Sequence, residues 1–378
     1  MRKKALIAAN FIGFLHFLWH DIDMLKELGY EIYCTGDNEN QEEHTLKMLE
    51  ERGVTFIDIR IDSKSPFTSK NLNAFKQYAK LIKKEKFNLI HCHTPIVGLF
   101  VRLAAWKSRR NGTKIIYTTH GLAYNHLSTW KETIKYKSIE GLASRLCDAI
   151  ITINTEDFNN VKNLHCKNVY LINGVGVDTQ KYINVSIDRE NYRNSLGISN
   201  NKILILAIGE LSIRKNHSII IEAISKLPDK SKYVYAICGR KMTAGGTQER
   251  LLQLAKELDV DVRLLGFRAD IPQIVHCCDI GVIPSIREGL GLAGIQTLCA
   301  GVPIIGSNVQ GIKEYVINGK TGILCNPYDV EGFAEAIIKL SDSQLRASMH
   351  DDCISIAKTF DSGISIEQRW KIYKNIIG

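Results

Sequence analysis

Proline is scarce in this chain of 378 residues, which has only seven, and no low-complexity stretch occurs. Both observations argue against a disordered or linker-rich protein, because such proteins are rich in proline or in low-complexity segments. Hydrophobic residues make up 45% of the chain and charged residues 24%, as in ordinary globular proteins. A chain of this length can bury two cores, so we predict an ordered protein of two domains.

Long hydrophobic runs are also missing. No stretch approaches the roughly 20 apolar residues that a membrane-spanning helix requires. The first apolar run, from Ala5 to Ala9, is too short for the core of a secretory signal, and no small-residue cleavage site follows it. We interpret this run as a first buried strand and expect a cytoplasmic protein.

The ten cysteines form no CxxC pair. Most of them lie in apolar runs, where cysteine behaves as a small buried hydrophobic residue. This scatter argues against a metal centre and against a disulfide framework, and it is typical of proteins from a reducing cytoplasm.

Positive charge is unevenly spread in a chain whose net charge is +9. Between residues 64 and 145, sixteen lysines and arginines stand against three glutamates. This excess has two open explanations: a set of solvated helix faces, or a basic face toward anionic phospholipid or a phosphate-bearing acceptor. We expect no nucleic acid as a partner, because no helix-turn-helix, finger or RNA-binding signature accompanies the charge.

Apolar runs and amphipathic helical patterns alternate along the chain. One series ends near residue 172 and a second begins near residue 203, after a glycine-rich stretch and a polar segment. Apolar strands that are each followed by a helix indicate a parallel sheet covered on both faces. We therefore predict an α/β fold with two doubly wound, Rossmann-like domains, residues 1–180 and 181–359, facing each other across a cleft. Ligands of such sheets bind at the carboxyl ends of the strands.

The stretch from residue 284 to 307 holds the most informative pattern. A short apolar strand is followed by Gly289 and Gly291, which permit a tight loop, and then by a helical pattern. The free N–H groups at such a helix start form a site for phosphate. Glu288 stands before the loop, and Gln296 interrupts the apolar stripe of the helix. The alternative is an ordinary strand–loop–helix unit in which Glu288 is solvated.

Three other predicted strand ends carry polar side chains. His120 comes directly after an apolar strand, where it can contact a ligand. Arg214 and Lys215 precede a helix, and two cations in that place suit a diphosphate. Gly266 and Arg268 could frame a flat base. The alternatives are a core or capping histidine and solvated cations.

Together these segments resemble the retaining glycosyltransferases of family 4, which have the two-domain GT-B fold. The resemblance covers nearly the full length and rests jointly on Ile90-His-Cys-His-Thr-Pro95, Thr119-His-Gly121, Asn173-Gly-Val-Gly-Val-Asp178, the Gly209 loop with Lys215, Gly266-Phe-x-x-Asp270, Pro284-Ser-x-x-Glu288 and Ala300-Gly-Val-Pro303. The first of these motifs and Arg287-Glu-Gly-Leu-Gly291 are most similar to members that build capsular, exopolysaccharide and O-antigen repeat units in bacteria.

The resemblance implies a retaining enzyme that moves a sugar from a nucleoside-diphosphate donor, with UDP expected, to a lipid-diphosphate-linked saccharide. It implies no metal and no cofactor besides the nucleotide-sugar co-substrate. The protein would be peripheral at the inner face of the cytoplasmic membrane, with residues 64–145 toward the anionic surface, and a terminal helix (360–378) would cross back to the first domain.

Residue roles follow from the same resemblance. The implied catalytic residues are His120, Lys215 and Glu288. The implied donor-binding residues are Gly13, Arg214, Lys215, Gly266, Arg268, Glu288, Gly289, Leu290, Gly291, Leu292 and Gln296. The cations would neutralise the diphosphate, the loop N–H groups would cradle it, and Glu288 would hold sugar hydroxyls.

Three departures from the family pattern occur. Gln296 stands where the family has its second Glu, Glu210 stands where an Arg is usual, and the first loop has Asn10-Phe-Ile-Gly13 without the common glycine pair. An amide still hydrogen-bonds a ribose diol, but without the strengthening charge. Two alternatives to the transferase therefore stay open: a non-catalytic glycosyltransferase-like subunit, and a nucleotide-sugar 2-epimerase of the same fold.

Overall fold

The computed structural model describes residues 2–39, 42–62, 65–240 and 247–378. The chain divides into two compact units. Unit 1 comprises Met1–Val175 together with Ile364–Gly378, and unit 2 comprises Gly176–Gly363. The predicted domain limits lie a few residues away from these.

The described residues of unit 1 form one parallel sheet with helices between its strands. Its strands are β1 (Lys3–Phe11), β2 (Tyr30–Asp37), β3 (Thr55–Asp58), β4 (Leu89–His93), β5 (Lys114–Thr118), β6 (Ala149–Thr152) and β7 (Asn168–Leu171). Its helices are α1 (Trp19–Glu27), α2 (Glu43–Glu51), α3 (Ser69–Glu85), α4 (Pro95–Arg110), α5 (Trp130–Ala143) and α6 (Thr155–Val161), with 3-10 helices at Ile12–Leu18 and Ser144–Leu146.

Unit 2 repeats this plan. Its strands are β8 (Ile203–Ile208), β9 (Tyr233–Cys238), β10 (Val262–Gly266), β11 (Ile280–Ile283), β12 (Ile304–Ser307) and β13 (Gly322–Cys325). Its helices are α7 (Thr179–Ile183), α8 (Arg189–Ser195), α9 (Ser218–Ser225), α10 (Thr247–Glu257), α11 (Ile271–Cys277), α12 (Leu292–Cys299), α13 (Val330–Leu340) and α14 (Ser343–Lys358), with 3-10 helices at Ile213–Lys215, Lys230–Lys232 and Gln310–Glu314. The last helix of the chain, α15 (Ser362–Ile377), lies mostly in unit 1.

The strand orders confirm the predicted doubly wound α/β class. The sheet of unit 1 has the order β3-β2-β1-β4-β5-β6-β7, and that of unit 2 has β10-β9-β8-β11-β12-β13. All strand pairs within both sheets are parallel. The order reverses between β1 and β4 and between β8 and β11, and ligands of open α/β sheets bind at such switch points.

The two faces of the unit 1 sheet differ in chemistry. On β4, Ile90 and Cys92 belong to the apolar core beneath α3 and α4. Because successive side chains of a strand point to opposite faces, His91 and His93 lie on the other face. There Tyr373 of α15 contacts His91, with 2.7 Å between its hydroxyl and Nδ1. The sheet thus has one apolar face and one face that is polar at its carboxyl edge.

A buried ion pair joins α4 to α5. Arg102 is fully buried, its Nη1 lies 2.7 Å from Oε1 of Glu140, and its guanidinium lies 4.0 Å from the ring centre of Tyr117. Arg102 was counted in the predicted basic face of residues 64–145, and its burial removes it from that face. Burial is tolerated because Glu140 and the carbonyl of Gly98 accept hydrogen bonds from the guanidinium.

We expect Arg102→Ala to destabilise unit 1 by about 3–5 kcal/mol, because Glu140 would remain buried without its cation. Urea unfolding followed by circular dichroism measures this loss. Arg110→Ala, on the same helix but at an exposed position, is the control and should change stability little. Equal stability of both variants would contradict the assigned role of Arg102.

Two parts of the sequence-based assignment need correction. The polar segment between residues 179 and 202 contains α7 and α8, whose first turns are capped by the side chains of Asp178 and Asp188. The stretch between β1 and α1 is a 3-10 helix that begins at Ile12. All three of these helices are short, so hydrophobic periodicity has too few turns to reveal them.

Candidate functional site

Two loops of unit 2 bring together three of the predicted site residues. Lys215 ends the 3-10 helix after β8, and Glu288 lies in the loop after β11. Lys215 Nζ is 2.5 Å from Oε2 of Glu288, and Arg214 Nη1 is 3.3 Å from the same oxygen. The backbone also links the loops, since the N–H of Ile286 donates to the carbonyl of Arg214 at 2.9 Å. The residues predicted to bind the diphosphate and sugar hydroxyls are therefore in contact.

The charge of Glu288 is maintained by its neighbours. Its side chain is 12% exposed. Burial acts to raise its pKa, but Lys215 and Arg214 outweigh burial, and the pKa of the carboxyl is lowered from 4.5. The hydroxyl of Ser285 also donates to Glu288, at 3.1 Å. Glu288 is thus ionised at neutral pH and forms ion pairs with both cations.

Glu210 has a part in this cluster that the sequence did not reveal. Its Oε1 is 3.2 Å from Nη2 of Arg214. Arg214 is thus shared between Glu210 and Glu288, whereas Lys215 pairs with Glu288. We infer that Lys215 is the principal cation for an incoming anion and that Arg214 assists it.

The loop before α12 is held tightly in place. Gly291 adopts the left-handed conformation at φ 81°, and its carbonyl accepts a hydrogen bond from the hydroxyl of Tyr315 at 3.1 Å. A Cβ on Gly311 would lie 2.1 Å from the carbonyl oxygen of Gly289, so the backbones touch here. Gly291 is required by its left-handed backbone conformation, and Gly311 is required by its close contact with Gly289. The start of α12 is therefore preorganised, as an anion site at a helix N-terminus requires.

Leu290, Leu292 and Gln296 contribute in different ways. Leu290 is 3% exposed, so its side chain is not available to a ligand. Leu292 begins α12, and Gln296 lies one turn later, half-buried on the same helix. The i and i+4 spacing places both on one side of the helix.

The carboxyl ends of β8, β9 and β10 meet through glycines. A Cβ on Gly239 would lie 1.7 Å from the carbonyl oxygen of Gly209, and the N–H of Gly239 donates to the carbonyl of Gly266 at 2.8 Å. The aliphatic part of Lys215 lies against Gly209, with Cε 3.1 Å from an added Cβ. This close packing brings the Gly266 turn next to the loop that carries Lys215.

An exposed aromatic ring at this edge was missed by the sequence analysis. Phe267 is 68% exposed, and the guanidinium of Arg240 lies 4.4 Å from its ring centre. Arg268, which the sequence predicts to frame a base, is bound to Asp270, with Nε 2.8 Å from Oδ1, and to the hydroxyl of Tyr192. Arg240 directly follows the strand end at Cys238–Gly239. This position is the sequence feature that could have indicated that Arg240 lies at the same edge.

The predicted residues of unit 1 lie at the carboxyl edge of its own sheet. His120 follows β5 by two residues, and its ring centre is 4.8 Å from that of Phe14. Its Nε2 is 3.1 Å from Nδ1 of His93. Gly13 lies in the 3-10 helix after β1, where an added Cβ would be 2.9 Å from the carboxylate of Glu42. Neither His93 nor Glu42 was among the predicted site residues.

A pH effect follows from His217, which lies directly after the Lys215 loop. Its side chain is 3% exposed, and burial lowers its pKa from 6.5 to about 4. The unfolded chain therefore binds more protons between pH 6.5 and 4, so stability falls as the pH falls through this window. From pH 7 to pH 5 we expect unfolding in urea to show a loss of about 2 kcal/mol from this residue.

His217→Asn should remove this part of the pH dependence, and a variant with an unchanged pH dependence would refute the assignment. His165→Asn, at an exposed position of unit 1, is the matched control.

Most of the other basic residues of the predicted basic face, residues 64–145, lie on α3, α4 and α5. Lys64, the first residue of the predicted basic face, lies outside the described residues. On α5 the lysines at 131, 135 and 137 are exposed. They alternate with exposed apolar side chains, of which Trp130 is 69%, Ile134 58% and Leu142 64% exposed.

In the described part of the chain, the His, Cys, Asp and Glu side chains form no group of three or more that could hold a metal ion. None of the helices in this part combines the length and the apolar character needed to cross a membrane. All ten cysteines are buried and unpaired.

Two family models match the chain. The model described as Glycosyl transferases group 1 matches residues 188–360, which lie within unit 2. The model described as Glycosyl transferase 4-like matches residues 6–154, which lie within unit 1.

Several curated proteins are similar over much of their length. EpsD of Bacillus subtilis strain 168, assigned as a glycosyltransferase, is 30% identical over 99% of this chain and 97% of its own. A UDP-Gal:alpha-D-GlcNAc-diphosphoundecaprenol alpha-1,3-galactosyltransferase of Escherichia coli is 28% identical over 75% of this chain and 74% of its own. An N,N'-diacetylbacillosaminyl-diphospho-undecaprenol alpha-1,3-N-acetylgalactosaminyltransferase of Campylobacter jejuni is 24% identical over 97% of this chain and 99% of its own.

Solved structures share the fold. HepE of Anabaena, in complex with UDP and glucose, superposes with a TM-score of 0.79 at 19% identity, covering 99% of this chain and 100% of its own. WaaG, a glycosyltransferase of lipopolysaccharide biosynthesis, superposes with a TM-score of 0.73 at 16% identity, covering 97% of this chain and 99% of its own.

Proposed function

Since this chain belongs to the group 1 glycosyltransferases, with the GT-B fold and a hexosyltransferase type of activity, we propose that it transfers a hexose from a UDP-sugar to a lipid-diphosphate-linked saccharide. The acceptor class is suggested by the relatives from Escherichia coli and Campylobacter jejuni, whose names specify diphosphoundecaprenol-linked acceptors. The nucleotide is suggested by HepE, which was solved with UDP.

The observation that carries the proposal is the pair formed by Lys215 and Glu288, 2.5 Å apart beside the start of α12. A diphosphate that enters here meets an ammonium group and the N–H groups at the start of a helix. Lys215 then exchanges its carboxylate for phosphate oxygens. Glu288, released from the cation, is free to accept hydrogen bonds from hydroxyls of the donor sugar.

The proposed reaction proceeds with retention. The acceptor hydroxyl attacks the anomeric carbon on the same face from which the nucleoside diphosphate departs. The bond from that carbon to the β-phosphate oxygen breaks, and the leaving phosphate takes the acceptor's proton. Lys215, Arg214 and the N–H groups at the start of α12 stabilise the negative charge that grows on the leaving diphosphate. We propose that these groups suffice without a metal ion. Gln296 would hydrogen-bond the ribose hydroxyls as a neutral amide.

A nucleotide-sugar panel tests the proposal. The purified protein is incubated with UDP-glucose, UDP-galactose and their N-acetylamino forms, each with and without a synthetic diphosphate-linked lipid saccharide, and UDP release and lipid products are measured. We expect one donor to give an extended lipid-linked product that depends on the acceptor. A changed donor without acceptor would indicate an epimerase, and no UDP binding at millimolar concentration would indicate a non-catalytic subunit.

We further propose that α5 lies against an anionic membrane surface. Trp130 and Ile134 are one turn apart on its exposed side, and exposed lysines flank them. Apolar residues bordered by lysines are typical of helices that lie in a membrane interface, where each lysine near an anionic surface contributes about 1 kcal/mol. Such a position would bring the enzyme to a lipid-linked acceptor.

Replacing Ile134 by serine together with Lys135 by glutamine should reduce sedimentation with phosphatidylglycerol vesicles by about tenfold, because one apolar contact and one charge are removed. Ile338→Ser is the control, since Ile338 is 49% exposed on α13 of unit 2. If the control weakens vesicle binding and the α5 variant does not, α5 is not the membrane contact.

A further inference from the structure

Three histidines form a connected group on the polar face of the unit 1 sheet. His91 and His93 are each 1% exposed, and His120 is half-buried at the strand end. The ring centres of His91 and His93 are 4.1 Å apart, and those of His93 and His120 are 5.3 Å apart. Burial, with the neighbouring imidazoles and Arg369, lowers the pKa of His93 well below its usual value, so its ring is neutral at pH 7. A neutral imidazole has one N–H and one lone pair, and the neighbours decide which nitrogen carries the proton.

The residues next to His91 determine which of its ring nitrogens carries the proton. Asp21 pairs with Arg369 of α15 and accepts a hydrogen bond from the hydroxyl of Tyr373 at 2.8 Å. The Tyr373 hydroxyl has one proton, which goes to the carboxylate, so its oxygen accepts from Nδ1–H of His91 at 2.7 Å. The Nε2 of His91 then accepts from the hydroxyl of Thr118, also at 2.7 Å.

The same reasoning applies to His93. Its Nδ1 shares a hydrogen bond with Nε2 of His120, while its own Nε2 is buried and has no partner among the described residues. A buried N–H without an acceptor is rarer in proteins than an acceptor without a donor. The proton of His93 therefore belongs on Nδ1, where it is used, and its Nε2 has the lone pair.

A small cavity next to His93 agrees with this assignment. It has a volume of about 10 Å³, close to that needed for one water molecule, and it is lined by residues that include Asp21, His91, His120 and Arg369. A water bound between Arg369 and Nε2 of His93 would turn its oxygen toward the guanidinium and donate a proton to the ring nitrogen.

We propose that His93 is a positioning residue, which holds His120 in the tautomer with its proton on Nδ1, so that His120 presents an N–H donor to an oxygen of the bound substrate. His93 donates from Nδ1 to Nε2 of His120, which leaves Nδ1–H of His120 for the ligand. The inference rests on the proposed function only for the identity of that ligand. It gives the second histidine of the Ile90-His-Cys-His93 motif a role that is different from packing.

Nuclear magnetic resonance of histidine-labelled protein tests the tautomer without any activity assay. Long-range proton–nitrogen correlation spectra at pH 7 distinguish protonated from unprotonated ring nitrogens, and His120→Gln identifies the signals of His120. We expect Nδ1 of His120 to be protonated and Nε2 to be unprotonated. A wild-type spectrum with the proton of His120 on Nε2 would overturn the proposal.

Two substitutions of His93 connect the tautomer to catalysis. His93→Phe fills the same space but cannot donate, so we expect mixed tautomers of His120 and a fall in kcat of about 10- to 100-fold, as for other groups that orient a catalytic residue. His93→Asn places an amide N–H near the former Nδ1 and should restore most of the rate. An unchanged tautomer and rate in His93→Phe would refute the role, whereas an inactive wild-type protein would refute the proposed function instead.

Discussion

Lys215→Ala should lower kcat/KM for sugar transfer by about 100- to 1,000-fold, the range found when one donor to a developing anion is removed. The reason is the position of Lys215, whose ammonium group lies in the cluster that would receive the diphosphate. Arg214 does not replace it, because Glu210 and Glu288 share its guanidinium. The rate is measured as UDP release in the presence of acceptor, together with UDP affinity by calorimetry.

Lys226→Ala is the matched control for this measurement. Lys226 is a lysine of unit 2 at the end of α9, where it pairs with Glu331. Its removal changes net charge by the same amount as Lys215→Ala but should leave turnover near the wild-type value. If Lys215→Ala kept the wild-type rate, the assignment of the diphosphate to this cluster would be wrong.

Glu288→Gln should have opposite effects on binding and on turnover. Its carboxylate forms ion pairs with Lys215 and Arg214 and would repel an incoming diphosphate. We therefore expect UDP to bind several-fold more tightly to the variant, since one negative charge next to the diphosphate is removed. Transfer should nevertheless fall by about 100-fold, because an amide cannot form the charged hydrogen bonds to sugar hydroxyls that position the donor.

Calorimetry with UDP and turnover assays on the same protein separate the two effects. Glu331→Gln removes an exposed carboxylate of unit 2 and should change neither quantity. Weaker UDP binding by Glu288→Gln would mean that the carboxylate supports the cation cluster more than it opposes the nucleotide, and would contradict the competition described above.

Much of the architecture and part of the site could be predicted from local pattern. Alternating apolar strands and helices predicted two parallel α/β sheets, and both are present. The resemblance to the family 4 glycosyltransferases implied that Lys215 and Glu288 belong to one site, and the two side chains are in contact. The sheets were accessible because each strand and helix is encoded within a few consecutive residues.

Features that depend on distant parts of the chain were not accessible. His91 and Tyr373 are 282 positions apart in sequence yet share a hydrogen bond. Arg102 looked like one more surface cation, because its partner Glu140 is on the next helix. Arg268 is bound to the hydroxyl of Tyr192, 76 positions away, and the exposed Phe267 contacts the guanidinium of Arg240 from another strand end. These contacts depend on how the chain folds in three dimensions, and local hydrophobic periodicity does not report on them.

The structure shows the surroundings of Glu210 and Gln296, two residues that depart from the family pattern. Glu210 pairs with Arg214 and so reduces the positive charge available from that residue, which places more of the diphosphate binding on Lys215. Gln296 is half-buried one turn into α12, on the helix whose start would cradle the phosphates. We therefore expect donor binding that depends on one lysine to an unusual degree.

A crystal structure of the protein with UDP tests the central claim most directly. The account predicts that the diphosphate lies within hydrogen-bonding distance of Lys215 Nζ and of N–H groups between Gly289 and Leu292, with the contact between Lys215 and Glu288 loosened. A diphosphate bound elsewhere, with Lys215 still held by Glu288 alone, would contradict it.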